Sequence, residues 1–464
     1  MTALIPGHRK GAGSAAARMK PGLLARLHPS QAVIAGFAIA VVTGTILLLL
    51  PVSAAGKGGA TVLEAAFTAT SAVCVTGLIV VDTPVYWSGF GQAVILLLIQ
   101  VGGFGIMTLA SILALLLSGN LGLRTRLTAA AETKSLGLGD LRTVLLGVAK
   151  VSLAVEGVTA LLLAARFMTG YGEPPLRALW LGVFHAVSAF NNAGFALYSD
   201  SLIGFAADPW ICLPIATAVI LGGIGFPVLF ELRRHLRHPK RWSLHTKITM
   251  LGTAVLLPAG TVFMLVAEWS NPATLGRLDP AGKMLAGFFQ SVMLRTAGFN
   301  SVDIAQMNTG TWLGSDVLMF IGGGSAGTAG GIKITTFLVL LYVILSDIRG
   351  DEDTNVFGRR IPRAAQRQAL SVALLGVAAI MGPAIVFAMT TPFSLDQVLY
   401  EIVSAFATVG LSTGITAQLS PAHQAALMAL MFIGRTGTIT VATALALRHR
   451  DRFFRYPEER PVIG

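Results

Sequence analysis

Charge is what this chain has least of. Only 12% of its 464 residues are Asp, Glu, Lys or Arg, and 54% are hydrophobic. A soluble domain carries about 25% charged residues, so a water-soluble fold is excluded. Cysteine is almost absent. Cys74 and Cys212 are too few for a disulfide framework, lack metal-ligand spacing and sit in apolar runs, as buried small side chains do. The eight histidines are scattered; His185 has no evident partner, and the clustered His, Asp or Glu that an integral-membrane enzyme needs are missing. No Gly-Lys-Ser/Thr phosphate loop occurs. The net charge is +12, but in so apolar a chain basic residues report topology first, and nucleic acid is not an expected partner. Apolar runs of about twenty residues recur, the length that crosses a bilayer as a helix. The expectation is a multi-pass, all-α membrane protein.

Glycine, in contrast, is abundant and ordered. Gly77, Gly194, Gly298 and Gly410 each follow a short apolar run and precede Leu or Phe, at intervals of 117, 104 and 112 residues. A second landmark follows each: Gly102-Gly103-Phe104-Gly105, Gly222-Gly223-Ile224-Gly225, Gly322-Gly323-Gly324 and Gly434-Arg435-Thr436-Gly437. Two landmarks in fixed order, four times over, make an internal repeat. Each repeat reads as a span, a short apolar segment ending near the key glycine, and a second span. The repeats occupy 30–118, 142–231, 247–346 and 368–447, with short segments at about 62–76, 178–192, 283–296 and 395–408. These are too short to span and fit re-entrant pore helices, leaving eight transmembrane helices. Residues 1–29 read as a basic cytoplasmic arm and 448–464 as a cytoplasmic tail. A cleaved signal peptide is the competing reading of the first span, with Val52-Ser53-Ala54 as its cleavage site; the length of the run and the equivalent spans in the other repeats argue against it. Basic residues crowd the connections 232–247 and 347–367 and the tail, whereas the opposite loops carry Asp82, Asp200, Asp208, Asp303, Asp316 and Asp396. By the positive-inside rule both termini are cytoplasmic and the key glycines face outward.

Four such segments on one chain can close a pseudo-fourfold pore. An ion in a narrow pore needs oxygens to replace its water, and backbone carbonyls supply them without a fixed charge. Aiming a row of carbonyls at one axis requires backbone angles that a Cβ obstructs, hence glycine. The pore helices would turn their partly negative C-terminal ends toward the ion. Thr76, Asn191, Asn192, Thr296 and Thr408 are placed to brace the loops. Helix-packing glycines of the GxxxG kind would account for one copy but not for four in short re-entrant segments.

Val75-Thr76-Gly77-Leu78, Asn192-Ala193-Gly194-Phe195, Thr296-Ala297-Gly298-Phe299 and Thr408-Val409-Gly410-Leu411 resemble the four filter segments of the Trk/Ktr/HKT potassium-transport superfamily, from about residue 30 to the end of the chain. The basic arm, where Trk-type subunits carry two further helices, makes the chain look like the membrane subunit of a Ktr system. The resemblance implies potassium uptake across the cytoplasmic membrane. It implies a filter formed by Val75, Thr76 and Gly77, by Asn192, Ala193 and Gly194, by Thr296, Ala297 and Gly298, and by Thr408, Val409 and Gly410. Glycine rather than serine at position 77 implies selectivity for potassium; a sodium-conducting or poorly selective relative is the alternative. It further implies a homodimer, a cytosolic KtrA-like regulatory ring that alone carries nucleotide, activation by sodium, and K+ as substrate with no covalent cofactor.

The third repeat is the odd one. Its second span, about 311–346, would as one helix be on the order of 54 Å long against a hydrocarbon core of about 30 Å. Its middle holds Gly322, Gly323, Gly324, Ser325, Gly327, Thr328, Gly330, Gly331 and Lys333, with six glycines in ten residues, which will not hold a helix. Two half-helices joined by a loop below the filter are expected. In the Ktr family the matching loop is the gate, and this one is expected to be so. Gly322-x-Gly324-x-x-Gly327 also matches the dinucleotide fingerprint, but that motif needs a preceding strand and a βαβ unit. Arg435 lies deep in the last span, where a charge is a functional candidate; it is expected against the pore, tuning ion occupancy or anchoring the glycine loop through its carbonyls, with a salt bridge in the bundle as the alternative. Arg295 is expected to brace the pore helices, and Glu64 and Glu401 to open two of them, where carboxylates suit the helix dipole.

Overall fold

The computed structural model describes residues 29–56, 58–105 and 141–437. The readings made for 1–28, 106–118 and 438–464 lie outside them. The described chain is helical apart from one short antiparallel hairpin, β1 (Asn355–Val356) and β2 (Arg359–Arg360).

The elements fall into four groups. The first holds α1 (Pro29–Leu48), α2 (Val62–Val73) and α3 (Gly89–Phe104). The second holds α4 (Leu141–Tyr171), α5 (Pro175–Phe190), α6 (Pro209–Ile224) and α7 (Phe226–His235). The third holds α8 (Leu244–Glu268), α9 (Pro280–Met293), α10 (Thr309–Phe320) and α11 (Ile334–Arg349). The fourth holds α12 (Arg363–Thr390), α13 (Leu395–Ala407) and α14 (Pro421–Thr436). Each group has one half-length helix (α2, α5, α9, α13) packed against the long helix before it.

Contacts between groups run in a circle. α3 packs on α5, α6 on α9, α10 on α13, and α14 returns to α2. The helix after the glycine segment in each repeat thus leans on the half-length helix of the next, and the fourth closes on the first.

The half-length helices start where the sequence supplies a stop for orphan N–H groups. Thr61 and Glu64 form a capping box on α2, with Thr61 N–H to Glu64 Oε2 at 2.8 Å. Ser394 and Gln397 do the same on α13. Asp279 caps α9 and is followed by Pro280, and Pro175 opens α5, both prolines sitting where no N–H is needed. Their last turns are buried. The long helices instead turn apolar side chains outward: Leu153, Val158 and Leu161 on α4, and Leu374, Ile385 and Met389 on α12. That surface suits lipid.

Three described helices are long and apolar enough to cross a bilayer unaided, Val144–Tyr171, Leu244–Glu268 and Arg363–Thr390. The helices after the glycine segments are shorter because each stops at a glycine or in a glycine run. α3 ends at Gly105 (φ 76°), α6 at Gly225 (φ 102°) and α14 at Gly437 (φ 88°). α6 and α7 meet at Gly225 with a bend of 99°, so the stretch of about 207–231, expected as the second span of repeat two, is two helices. α10 and α11 are separated by the glycine-rich stretch 321–333.

Candidate functional site

Gly77, Gly194, Gly298 and Gly410 meet. A Cβ built on Gly77 would collide with the carbonyl oxygen of Ala193. On Gly194 it would stand 2.7 Å from Ala297 O, and on Gly298 2.6 Å from Val409 O. On Gly410 it would collide with Thr76 O. Each glycine thus abuts the carbonyl just before the next, and the fourth abuts the first: a closed ring with no room for a side chain.

The backbone repeats as well. All four glycines have positive φ, between 72° and 94°, and so do the residues two positions earlier: Val75 (50°), Asn192 (57°), Thr296 (67°) and Thr408 (52°). Three of these are β-branched, for which positive φ is a genuine outlier, and strain repeated in one register is a mark of a functional segment. These residues also stop the half-length helices, which end at Val73, Phe190, Met293 and Ala407, a few residues short of the ends read from sequence except for the last.

Serines hold the near side of the ring. In repeats one, two and four the residue before the glycine donates its N–H to the carbonyl six residues before that glycine: Thr76 to Ser71, Ala193 to Ser188 and Val409 to Ser404, each at 2.8 Å. Gly77 N–H donates to Ser71 Oγ and Gly410 N–H to Ser404 Oγ, each at 3.1 Å. Repeat three has Val292 at that place, and Ala297 N–H bonds Met293 O at 3.1 Å instead. The bracing expected of Thr76, Thr296 and Thr408 is not what their side chains do. Their hydroxyls, with Asn192 Nδ2, are buried and have no hydrogen-bond partner among the described residues. Asn191 does brace: its amide donates to Gln100 Oε1 (3.1 Å), Glu156 Oε1 (3.2 Å) and Val187 O (2.9 Å). Glu156, buried in α4, thereby holds the C-terminus of α5.

The glycine-rich stretch lies against the ring segments. Thr328 Oγ1 donates to Asn192 Oδ1 (2.7 Å) and to Phe190 O (3.2 Å). A Cβ on Gly322 would touch Thr296 Cγ2 at 3.5 Å, one on Gly330 would collide with Thr408 Oγ1, and one on Gly331 would lie 3.0 Å from Ala407 Cα. Three of the four segments are therefore in contact with the loop. The loop also lies on the α6–α7 bend: Gly324 N–H to Gly223 O (2.7 Å), Thr328 N–H to Gly222 O (3.2 Å) and Phe226 N–H to Ala326 O (3.2 Å). Ser325 Oγ is 2.9 Å from Thr335 Oγ1. Gly322 N–H bonds Ile332 O (2.8 Å) and Ile334 N–H bonds Gly323 O (2.9 Å), drawing the loop's ends together. Lys333 Nζ closes the loop on Ala329 O (2.6 Å) and Gly330 O (3.1 Å). Ile321 and Ile332 form an isolated bridge, not the strand that a dinucleotide fold requires.

Arg435 donates to the carbonyl oxygens of Thr328 and Gly102, so one guanidinium joins repeats one, three and four beneath the ring. Arg295 is placed differently from its expectation. It lines a small cavity with Gly223, Thr253, Leu257 and Gly323, and its Nε has no hydrogen-bond partner among the described residues. Glu64 caps α2 as read, but Glu401 lies mid-helix in α13 and accepts from residues 412–416. No group of three or more His, Cys, Asp or Glu able to hold a metal occurs among the described residues.

A profile of the TrkH family, described as cation transport protein, matches residues 13–456. The chain is 39% identical over 443 residues to the Ktr system potassium uptake protein B of Bacillus subtilis, covering 95% of this chain and 97% of that one. It is 37% identical over 420 residues to the protein of the same name from Vibrio alginolyticus, covering 90% and 91%. It is 32% identical over 452 residues to the potassium/sodium uptake protein NtpJ of Enterococcus hirae, covering 96% and 99%. The fold resembles the crystal structure of the potassium transporter TrkH from Vibrio parahaemolyticus, with TM-score 0.70 and 17% identity over 90% of this chain and 84% of that one.

Proposed function

The chain belongs to the TrkH family of cation transport proteins, and we propose that it is the membrane subunit of a potassium-uptake system whose ions pass along the axis of the glycine ring. The observation that carries this reading is the closure of the ring: four segments far apart in sequence abut in cyclic order, each glycine against the carbonyl before the next. Carbonyls so directed can replace the water of a dehydrated cation. The carbonyls of Val75, Thr76 and Gly77 and their counterparts in the other three segments then form the filter. The half-length helices end at the ring and add the negative ends of their dipoles. Relatives named for potassium uptake support potassium as the substrate.

On the same reading the loop 322–331 is the gate. It touches three ring segments and is tied there by Thr328 and Arg435, while Lys333 closes the loop on itself. A cytosolic KtrA-like ring that carries the nucleotide would shift it, the membrane subunit acting as a homodimer with both termini cytoplasmic and the glycines facing outward. Sodium activation belongs to this proposal. A second reading, transport of sodium as well as potassium, is favoured by the name of the Enterococcus hirae relative, a potassium/sodium uptake protein.

The test is rubidium uptake in a host stripped of its own potassium transporters, with a cytosolic partner co-expressed. Wild type supports uptake, and Gly77→Ser weakens it or opens it to sodium. Uptake indifferent to Gly77→Ser would place the ion path elsewhere.

A further inference from the structure

A carbonyl ring has to be held on both sides. The serine bonds hold the side that precedes each glycine. On the side that follows, the same backbone group is captured in two repeats by the same helical position. In repeat two, Leu197, three residues past Gly194, donates its N–H to His185 Nε2 at 3.3 Å. In repeat four, Thr413, three residues past Gly410, donates its N–H to Glu401 Oε1 at 2.8 Å. His185 and Glu401 each lie nine residues before their glycine, on α5 and α13, and each is fully buried. Two unrelated side chains thus perform one task at equivalent places. Thr68 and Phe289 stand at that place in repeats one and three, and Phe289 offers no acceptor.

The two acceptors are built for their place. A backbone N–H only donates, so His185 Nε2 accepts and its proton sits on Nδ1, which donates to Leu181 O at 2.8 Å. The ring is therefore neutral with both nitrogens engaged. Glu401 gathers a whole turn. Oε1 accepts from Ser412 Oγ, Thr413 N–H and Thr413 Oγ1 (3.2 Å), and Oε2 from Thr416 Oγ1 (2.8 Å).

We propose that Glu401 and His185 are positioning residues that fix the far half of the glycine ring and thereby set its discrimination between potassium and sodium, Glu401 contributing more. The proposal rests on the reading of the ring as a filter. Discrimination by carbonyls depends on how many reach the ion and how firmly they are placed. In repeats two and four the segment beyond the glycine is tied to its own helix by one side chain. In repeat three the far side is tied differently, Asn300 N–H donating to Ser201 Oγ at 3.3 Å, so the helix-borne acceptor is a feature of repeats two and four.

The test is rubidium uptake by the full chain with its cytosolic partner, measured as KM, maximal rate and inhibition by sodium, with membrane levels followed in parallel. Of the four bonds that Glu401 accepts, the one from Thr413 N–H bears on the ring, and its loss predicts that Glu401→Leu lowers potassium-over-sodium preference about tenfold. Glu401→Gln, which keeps a carbonyl acceptor for Thr413 N–H, stays much closer to wild type. His185→Leu gives a smaller loss that His185→Gln restores. Should Glu401→Leu fail to reach the membrane, Glu401→Asp, which keeps the charge and withdraws the acceptor by one methylene, must still lose selectivity. Wild-type selectivity in Glu401→Asp, or in both leucine variants, overturns the proposal. So does a rise in KM in Glu401→Gln equal to that in Glu401→Leu with selectivity intact, because the carboxylate would then act only as a charge. Gly77→Ser separates the two levels. If it also leaves selectivity untouched, the filter reading has failed; if it alone changes selectivity, only the bracing has.

Discussion

Val75, Asn192, Thr296 and Thr408 share a left-handed backbone, which asparagine tolerates and the three β-branched residues avoid elsewhere. Such residues cost on the order of 1–3 kcal/mol each and persist only where surrounding contacts over-determine them. Here those contacts include the serine bonds, and the serines are not equal. Ser404 Oγ accepts from Gly410 N–H at 3.1 Å, whereas Ser188 Oγ has no partner among the described residues. Ser404→Ala should therefore cost about 0.5–1.5 kcal/mol and Ser188→Ala almost nothing, read as melting temperatures of the detergent-solubilised protein. Equal shifts would show that the hydroxyls do not hold the ring. The glycines were legible in the sequence because they recur with fixed neighbours. The serines were not, although Ser71-Ala72-Val73, Ser188-Ala189-Phe190 and Ser404-Ala405-Phe406 recur too. A bond that crosses from a helix into the loop it feeds leaves no helical or strand periodicity. Threonines beside the glycines drew the bracing role instead, and their hydroxyls are unpaired.

Between α10 and α11 the chain gives up helix for a loop whose N–H and C=O groups are paired with α6, α7, Lys333 and Arg435. Irregular backbone at membrane depth survives only with such partners or beside a cavity. Arg435→Gln removes a planar donor that reaches two carbonyls at once, a task glutamine cannot repeat. It should raise rubidium flux in the absence of the activating partner; unchanged flux in a protein that reaches the membrane would deny the loop an Arg435-dependent restraint. Deleting 322–331 should raise flux further, and lower or unchanged flux in a folded deletion would end the reading of this loop as the gate. The loop was legible because six glycines in ten residues outweigh any apolar context. The bend at Gly225 was not, because hydropathy runs on without a break through 207–231. Its signal was local: a glycine followed two residues later by Pro227, the usual end of one helix and start of another.

At the scale of the molecule the circle α3–α5, α6–α9, α10–α13, α14–α2 is what turns four similar segments into one site. Within a repeat, the helix after the key glycine lies close against that repeat's own half-length helix. Gly102, Gly222 and Gly434 occupy equivalent places, and a Cβ on each would collide with the carbonyl oxygen of Val73, Phe190 and Phe406 at or near the C-terminal ends of the half-length helices. Gly434→Val should therefore push α14 away from α13 within the fourth repeat. A sharp loss of folded protein in the membrane is expected, where Gly382→Val, with open space around it, is tolerated. The recurrence of the glycine landmarks was legible as spacing, but which segment abuts which was not, since nothing local in a sequence says which helix leans on which. The central claim is that cations bind at the glycine ring, and anomalous diffraction from crystals grown with thallium in place of potassium tests it most directly. The account predicts thallium on the axis within bonding distance of the carbonyl oxygens of Thr76, Ala193, Ala297 and Val409. Thallium bound elsewhere, with the ring empty, would contradict it.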